Sequence, residues 1–238
     1  MKRPQVSIVI PAYNEERYLA QCLISLASQK TSINYEVIVV DNNSDDLTIE
    51  VAQSFKNKLN LRVVREIRQG RGAARARGFN EALGMIILST DADTILPNDW
   101  VETLARPIKG DILATTTSCK INDGAKHTNT IFNVYQPKSM VWYKLLFGHF
   151  WLNGFSFGIL KSAYERSGGF NPKLQAQEDI DLSLKVAKIG KVKFINKPVT
   201  FSGRRFKQGL IPGLYQYLHS FVRLTLLKKQ DVYLSNIR

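Results

Sequence analysis

The sequence has few cysteines, since only Cys22 and Cys119 occur among its 238 residues. Neither a CxxC pair nor a Cys/His spacing typical of a bound metal is present. A structural metal site built on cysteine is therefore excluded. Both thiols are expected to be reduced and buried in a cytosolic protein.

Long apolar runs are also missing. No stretch provides the roughly eighteen uninterrupted apolar residues that a membrane-spanning helix requires. The opening segment "MKRPQVSIVIPAYNEE" resembles a signal peptide, but its apolar run is short, ends at Pro11 and is followed by Glu15 and Glu16. The sequence therefore predicts no spanning helix, and the opening segment is interpreted as a first strand.

Acidic residues are scarce near the C-terminus, where the stretch from Leu182 to Arg238 holds twelve Lys and Arg but one acid, Asp231. The whole chain carries a formal net charge of +13. Such an excess predicts a polyanionic partner, namely nucleic acid, an anionic membrane or a phosphorylated substrate. A passive basic surface is the alternative. Length and composition otherwise predict one folded domain.

What the first half does contain is an alternation of short apolar runs with amphipathic segments. Runs rich in β-branched residues predict strands at 6–10, 36–40, 61–65 and 85–89. Apolar residues at helical spacing predict helices at 15–29, 47–55 and 71–83. The series predicts an α/β fold with an open, mainly parallel sheet flanked by helices.

Past Trp100 the pattern is less regular. Two strands are predicted at 111–118 and 191–195, and one helix at 178–189. The segment 122–138 is polar and is interpreted as a loop.

Each predicted strand of the first half is followed by a polar segment: "PAYNEE", "DNNSDD", "EIRQGRG" and "TDADT". Ligands bind outside the carboxyl ends of the strands in such sheets, so these segments are expected to line one cleft. In extended chain Asp91 and Asp93 point to the same side and can share a hard divalent cation, Mg²⁺ or Mn²⁺, whose shell substrate phosphates complete. Alternatively one carboxylate holds the metal while the other accepts hydrogen bonds from a ribose, or the pair is a solvated turn.

Other charged side chains at this edge suit a nucleotide. Asp41 follows a buried strand and can accept a hydrogen bond from a base N–H. Glu15 can do likewise, or can favour the N-terminus of the helix that it precedes. Arginines beside glycines at the start of the third helix make a ready phosphate site. These arginines are Arg68, Arg71, Arg75 and Arg77. The Walker and Rossmann glycine motifs are both absent.

Five segments occur in order over about Val6 to Lys193: "SIVIPAYNEE", "EVIVVDNNSDD", "GRGAARARGFNEA", "LSTDADTILPNDW" and "NGFSFGILKSAYERSGGFNPKLQAQEDIDLSLKVAKIGKV". Together they resemble the family-2 inverting glycosyltransferases of GT-A fold. The resemblance implies a nucleoside-diphosphate-sugar donor, a divalent cation on Asp91 and Asp93, and a catalytic base in "QEDIDL". The QxxRW motif of the processive relatives is not matched, which favours addition of a single sugar.

The acidic pair Glu178 and Asp179 precedes a helix of apolar periodicity, where acids can simply favour the helix N-terminus. Inverting transfer, however, needs a carboxylate that takes the proton of the acceptor hydroxyl. The resemblance assigns this role to Asp179, and Glu178 would then shape the acceptor side.

The loop positions and the resemblance together predict a set of substrate contacts. The set comprises Pro11, Ala12, Tyr13, Glu15, Asp41, Arg68, Gly72, Ala73, Arg75, Asp91, Asn153, Gly154, Glu178, Arg204 and Arg205. Arg204 and Arg205 follow the last strand, where family members often keep a basic contact with the pyrophosphate. Asn153 and Gly154 are expected to face donor or acceptor, with a buried turn as the alternative.

The aromatic segment 139–160 and the C-terminal tail concern the acceptor. Apolar residues at helical spacing, with basic residues among them, predict an amphipathic helical tail at 210–238. The segment 139–160 is interpreted either as core or as a lipid-facing surface. The second interpretation suits a lipid-linked acceptor and peripheral contact with an anionic membrane, at the inner face of the cell membrane.

These expectations divide the chain into one GT-A-like domain at 1–209 and the tail. Within the domain, 1–100 is expected to bind the nucleotide sugar and 101–209 to provide the acceptor side and the catalytic base. The donor nucleotide is expected to be UDP and not GDP, only because UDP is the more frequent nucleotide in the family that the sequence resembles.

Two other functions were weighed against glycosyl transfer. A nucleotidyltransferase of related fold would release pyrophosphate instead of transferring sugar. The acidic pair in "QEDIDL" would have a smaller role in such an enzyme. A nucleic-acid-binding protein would use the net charge of +13. The cleft is acidic, though, and no helix-turn-helix, RNP or zinc-finger pattern occurs, so no nucleic-acid partner is expected. A gel-shift assay that shows no binding of nucleic acid at moderate salt would exclude this second alternative.

Overall fold

In a computed structural model, residues 3–206, Tyr215 and 219–223 are described. The strands among them are β1 (Val6–Ala12), β2 (Tyr35–Asp41), β3 (Leu61–Arg65), β4 (Ile86–Thr90), β5 (Thr94–Ile95), β6 (Ile112–Lys120), β7 (Ser156–Leu160) and β8 (Lys191–Phe201). The helices are α1 (Leu19–Ala27), α2 (Thr48–Gln53), α3 (Arg71–Glu81), α4 (Trp100–Ala105), α5 (Lys126–Phe147), α6 (Lys161–Arg166) and α7 (Glu178–Val186). A short 3₁₀ helix spans Gly203–Phe206.

The strands form one sheet in the order β3-β2-β1-β4-β7-β6-β8-β5. The four strands of the first half are parallel, while β7 is antiparallel to both β4 and β6. β8 is parallel to β6, and β5 is antiparallel to β8. The expected α/β fold, with a mainly parallel sheet flanked by helices, is thereby confirmed.

The parallel strands are mostly apolar because both faces of the sheet are covered. Ile8 and Ile10 belong to a buried cluster with Leu19 of α1. Val9, between them in the chain, belongs to a second cluster with Phe79 of α3. Since successive side chains of a strand point to opposite faces, neither face is free to be polar.

The interpretation of 122–138 as a loop is wrong, because most of this segment lies in α5. Its polar residues misled the sequence argument, since they hydrogen-bond the backbone of β6 and of the residue that follows it. The Asn133 amide accepts from the Ile121 N–H (2.9 Å) and donates to the Ile121 carbonyl (3.0 Å). The Gln136 side-chain oxygen accepts from the Cys119 N–H (3.0 Å). The polar positions therefore form part of the buried face of the helix.

Two other expectations concern the cysteines and the tail. Cys22 and Cys119 are both free and buried, as expected. Within the described residues, no helix is long and apolar enough to cross a membrane. The predicted tail 210–238 lies outside the described residues except for Tyr215 and 219–223, which are helical.

Candidate active site

The carboxyl ends of β1 and β2 meet at Ala12 and Asp41, which are paired in the sheet. Asp41 is fully buried, and one of its carboxylate oxygens accepts from the Ser44 N–H (3.1 Å). The other oxygen, Oδ2, is buried without a hydrogen-bond partner among the described residues. A buried carboxylate oxygen is costly to leave unpaired, so this position is suited to a ligand that brings an N–H or O–H donor.

The neighbouring Asn42 organises the loop after β3, although the sequence argument did not single it out. Its side-chain amide donates to the carbonyls of Glu66 (2.9 Å) and Arg68 (2.8 Å). Its oxygen accepts from the N–H of Gly70, the residue before α3 (2.8 Å). Asn42 is buried and Asn43 is exposed, but nothing in "DNNSDD" distinguishes the two.

The "TDADT" segment forms a turn, so the expectation of an extended chain at Asp91 and Asp93 is wrong. The turn is closed by a hydrogen bond from the Thr94 N–H to the Asp91 carbonyl (3.2 Å). The two carboxylates consequently have different partners. Asp91 pairs with Arg75 (2.6 Å) and Asp93 with Arg204 (3.0 Å).

Asp93 lies in an acidic and largely buried environment. Burial raises the pKa of its carboxyl to about 7, against the effect of Arg204, and the charges of Asp91 and Glu15 act in the same direction as burial. The ionised form of Asp93 is therefore disfavoured by its surroundings, and an additional cation would favour it.

Arg204, in the 3₁₀ helix, joins this cluster to the loop after β1. Its guanidinium donates to both carboxylate oxygens of Glu15 (3.2 and 2.6 Å) and lies 5.0 Å from the centre of the Tyr18 ring. The Glu15 carboxylate is thus engaged with Arg204, and the first turn of α1 contains no acid. The contacts of Glu15 are therefore with Arg204, and not those of an acid that interacts with the N-terminus of α1. Arg205 belongs to the same 3₁₀ helix, and its side chain lies outside the described part.

Arg75 connects the "TDADT" turn to the start of α7. Its buried guanidinium donates to Asp91 (2.6 Å), to the Ser89 hydroxyl (2.7 Å) and to Glu178 (2.9 Å). Burial acts to lower the pKa of Arg75, but Asp91 and Glu178 raise it more, so that it stays charged. The expected phosphate-binding arginine is therefore engaged with protein groups. Ser89 lies two residues before Asp91, a strand-period spacing that could have indicated a shared side.

At the start of α7, Asp179 is held by two backbone N–H groups. One carboxylate oxygen accepts from Gly154 (2.9 Å) and the other from Ile180 (2.8 Å). The pKa of Asp179 is raised to about 7. Burial is the main cause and the charge of Glu178 adds to it, while Arg75 opposes both. This carboxyl therefore titrates near neutral pH, in a fixed orientation.

Gly154 is enclosed between the two charged groups. A Cβ at this position would lie 2.7 Å from Arg75 Nη2 and 3.0 Å from Asp179 Oδ2, so a side chain would displace one of them. Asn153 is buried, donates to the Thr117 carbonyl (2.6 Å) and accepts from the indole N–H of Trp151. The contacts of Asn153 are thus those of the buried turn named as the alternative, whereas Gly154 holds Asp179.

The remaining predicted residues belong to the end of β1 and the loop after it, to the loop after β3, and to the first turn of α3. Arg68 is exposed and Ala73 is buried, while Pro11 and Tyr13 are half-buried at and after the end of β1. Gly72 donates its N–H to the Leu174 carbonyl (3.0 Å). A Cβ on Gly72 would lie 2.4 Å from the Asn171 carbonyl oxygen, so glycine permits α3 to pack against this loop.

The carboxylates at the turn suit a divalent cation only together with a ligand. In the described part of the chain, no group of three or more His, Cys, Asp or Glu side chains is placed to hold a metal ion. Mg²⁺ commonly binds through one or two carboxylates and completes its shell with substrate phosphates. The oxygen donors of Asp91 and Asp93 fit this mode of binding.

Comparison with known proteins extends these observations. The sequence profile of glycosyl transferase family 2 matches residues 7–167. The putative glycosyltransferase EpsH of Bacillus subtilis is 30% identical over 171 residues, which cover 70% of this chain and 48% of EpsH. The chain spans less than half of the length of the curated relatives it matches.

Two solved structures share the fold. S. aureus TarS 1-349 in complex with UDP-GlcNAc superposes with a TM-score of 0.69 and 20% identity, covering 97% of this chain and 68% of that one. Mannosyltransferase PcManGT from Pyrobaculum calidifontis, in complex with GDP-Man and Mn²⁺, gives a TM-score of 0.62 and 24% identity, over 92% and 65% of the two chains. Because the family profile extends over more than half of the chain, this protein belongs to glycosyl transferase family 2.

Proposed function

We propose that the protein transfers one sugar from a nucleoside-diphosphate sugar to an acceptor hydroxyl, with inversion at the sugar carbon. The observation that carries this proposal is the pair of contacts made by Arg75. Its guanidinium joins Asp91, in the turn after β4, to Glu178, which directly precedes Asp179. A donor-side acid and a candidate base thus belong to one charged cluster, although they lie far apart in the chain.

Asp179 acts as the general base in this proposal. It takes the proton of the acceptor hydroxyl, whose oxygen attacks the sugar carbon from the face opposite the nucleoside diphosphate. The bond between that carbon and the diphosphate oxygen then breaks, and the electron pair leaves with the nucleotide. A base is most effective when its pKa is near the working pH, and burial brings the pKa of Asp179 to about 7.

The nucleotide is proposed to be UDP, bound through Asp41. Ser44 donates to Oδ1 of this carboxylate, so Oδ2 is the one of its two oxygens that lacks a donor among the described residues. Uracil presents one ring N–H, which one acceptor satisfies. Guanine presents two adjacent donors on the same edge, which would call for both oxygens of the carboxylate.

The diphosphate is proposed to lie beside the "TDADT" turn, where Asp93 and Asp91 would hold a divalent cation, Mg²⁺ or Mn²⁺. When bound there, such an ion neutralises part of the charge that develops on the leaving diphosphate. Arg204 pairs with Asp93 and is therefore placed to contact the same phosphates. In this division, 1–100 binds the donor and 101–209 supplies the base.

The acceptor is proposed to be lipid-linked, and the protein to act at a membrane surface. The support is the position of α5, which contacts the turn before Gly154 and carries apolar residues on its outward side.

Donor binding can be tested by thermal shift with UDP and GDP, each with and without Mn²⁺. We expect UDP with Mn²⁺ to raise the melting temperature by several degrees, at about 2–4 °C per kcal/mol of binding free energy, and GDP with Mn²⁺ to raise it less. Asp93→Asn should remove most of the increase that depends on Mn²⁺. Asp111→Asn, at an exposed ion pair with Lys191, is the control that should keep it. A shift that is equal for UDP and GDP would contradict the assignment of uracil as the nucleobase.

The pH dependence of transfer tests the role of Asp179. The carboxyl accepts a proton only when it is ionised, and burial raises its pKa to about 7. Below that value kcat/KM is therefore expected to fall about tenfold per pH unit, and above it to level off. The measurement is initial UDP release at subsaturating donor over about pH 5 to 8. A rate that does not change across this range would exclude a base with this pKa.

A further inference from the structure

Helix α5 is apolar on two opposite sides. Its inner side packs on the domain through buried residues such as Phe132, Met140 and Tyr143. Its other side carries a set of exposed residues that we name the outer stripe of α5. The outer stripe consists of Ile131, Val134, Tyr135, Val141, Trp142, Leu145 and Leu146. A helix that is apolar all round is normally covered on all sides, so this stripe calls for a partner.

The outer stripe lies between Ile131 and Leu146 of α5, at helical spacing. This part of the helix extends about 24 Å. Trp142, Leu145 and Leu146 are 63%, 73% and 76% exposed and form its most open part. A contiguous apolar surface of this kind marks an interaction site on a folded protein.

The charged side chains of α5 itself are all lysines. No acidic residue occurs between Asp123 and Glu165, whereas Lys126, Lys138 and Lys144 lie on α5 itself. Lys138 is exposed within the stripe. An apolar helix side that combines Trp, Tyr and Leu with Lys and lacks acids matches the interface of an anionic bilayer, where the apolar groups enter and the amines meet lipid phosphates.

The C-terminal segment meets the same end of the helix. The Phe221 ring lies 5.7 Å from that of Phe147 and 6.1 Å from that of Tyr143, between ring centres. This contact places residues 219–223, which include Arg223, beside the last turn of α5.

We propose that the outer stripe of α5 docks on an anionic lipid surface. A second copy of the chain is the less suitable occupant. A two-fold contact would bring the same stripe onto itself, so that Lys138 would face lysines with no acid to pair them. Within the described residues no helix can span a bilayer, so the contact is one of a helix lying in the interface.

Docking on this side would bring the candidate active site to the lipid. On the inner side of α5, the Met140 sulfur lies 3.6 Å from the Asn153 amide nitrogen. The next residue, Gly154, donates its N–H to Asp179 (2.9 Å). One helix thickness therefore separates the outer stripe from the turn that holds the base. This inference rests on the proposed glycosyl transfer, since it places a lipid-anchored acceptor next to Asp179.

Vesicle flotation tests the proposal with the full chain. Wild-type protein is mixed with vesicles of phosphatidylcholine alone or of equimolar phosphatidylcholine and phosphatidylglycerol. We expect flotation with the anionic vesicles, weakened by high salt, and much less with the neutral ones. Leu145→Glu should lower the partition coefficient about tenfold or more, because it removes a leucine that would enter the lipid and adds a charge that the anionic lipid repels.

Met85→Glu is the matched control, because Met85 is 68% exposed at the start of β4 and lies outside the stripe. It should float like the wild type. Trp142→Ala is a second variant that adds no charge and should also weaken flotation. Equal flotation of the wild type and Leu145→Glu would overturn the proposal. It would also be overturned if the wild-type protein were a dimer without lipid and Leu145→Glu were a monomer. The thermal shift with UDP is measured on the same samples, so failure of docking and failure of donor binding are distinguishable.

Discussion

Asp179→Asn is expected to lower the rate of sugar transfer by about 10²–10⁴-fold, with the affinity for UDP nearly unchanged. The amide keeps the size of the carboxyl and can still accept from the Gly154 N–H through its oxygen, so only the hydrogen bond from the Ile180 N–H is lost. It cannot take the proton of the acceptor hydroxyl. The measurement is steady-state UDP release from the UDP-sugar that stabilises the protein most, with UDP affinity determined separately by titration.

Asp181→Asn provides the matched control for this variant. Asp181 lies two residues further along α7 and forms an ion pair with Lys185 (2.7 Å), away from Gly154. Its replacement should leave the rate within about twofold, since this half-buried pair joins two residues of the same helix and does not contact Asp179. Full activity of Asp179→Asn would show that another group is the base.

Arg75→Met is expected to lower the free energy of unfolding by about 3–5 kcal/mol. The methionine fills part of the volume but leaves the buried Glu178 carboxylate without its cation and Asp91 without its partner. Arg75→Lys should recover only part of the loss, because an ammonium cannot reproduce the fork that reaches Glu178, Ser89 and Asp91 together. The measurement is the midpoint of urea unfolding without nucleotide.

The matched control here is Arg77→Met, in the same helix. Arg77 is exposed and pairs with Glu81 four residues on (2.9 Å), so its loss should cost about 0–1 kcal/mol. If Arg75→Met costs no more than Arg77→Met, the buried ion pairs do not stabilise the fold. Arg75 would then be free to act on the substrate, as the sequence first suggested.

The sheet was predictable because its strands are buried on both faces. A strand covered on two sides cannot alternate with polar residues, so β1, β2 and β4 appear as unbroken apolar runs in the sequence. The polar residues directly after them then identify one edge of the sheet. Asp41, Asp91 and Asp93 were found by this argument, and they do lie at that edge.

Other features depend on contacts that no local pattern records. Arg75 is separated from Glu178 by 103 residues, so the sequence suggests an arginine for a phosphate but does not identify its carboxylate partners. The polar residues of α5 resembled a loop because their hydrogen bonds go to the backbone around the end of β6. At Asp91 and Asp93, a single backbone hydrogen bond converts extended chain into a turn.

The unpaired oxygen of Asp41 has a consequence for the balance between stability and activity. A buried acceptor without a donor costs a folded protein about 1–3 kcal/mol. This cost falls on the empty protein and is relieved when a ligand supplies the donor. Selection for thermal stability alone would therefore act against Asp41, and the proposed contact with uracil would account for its presence in the core.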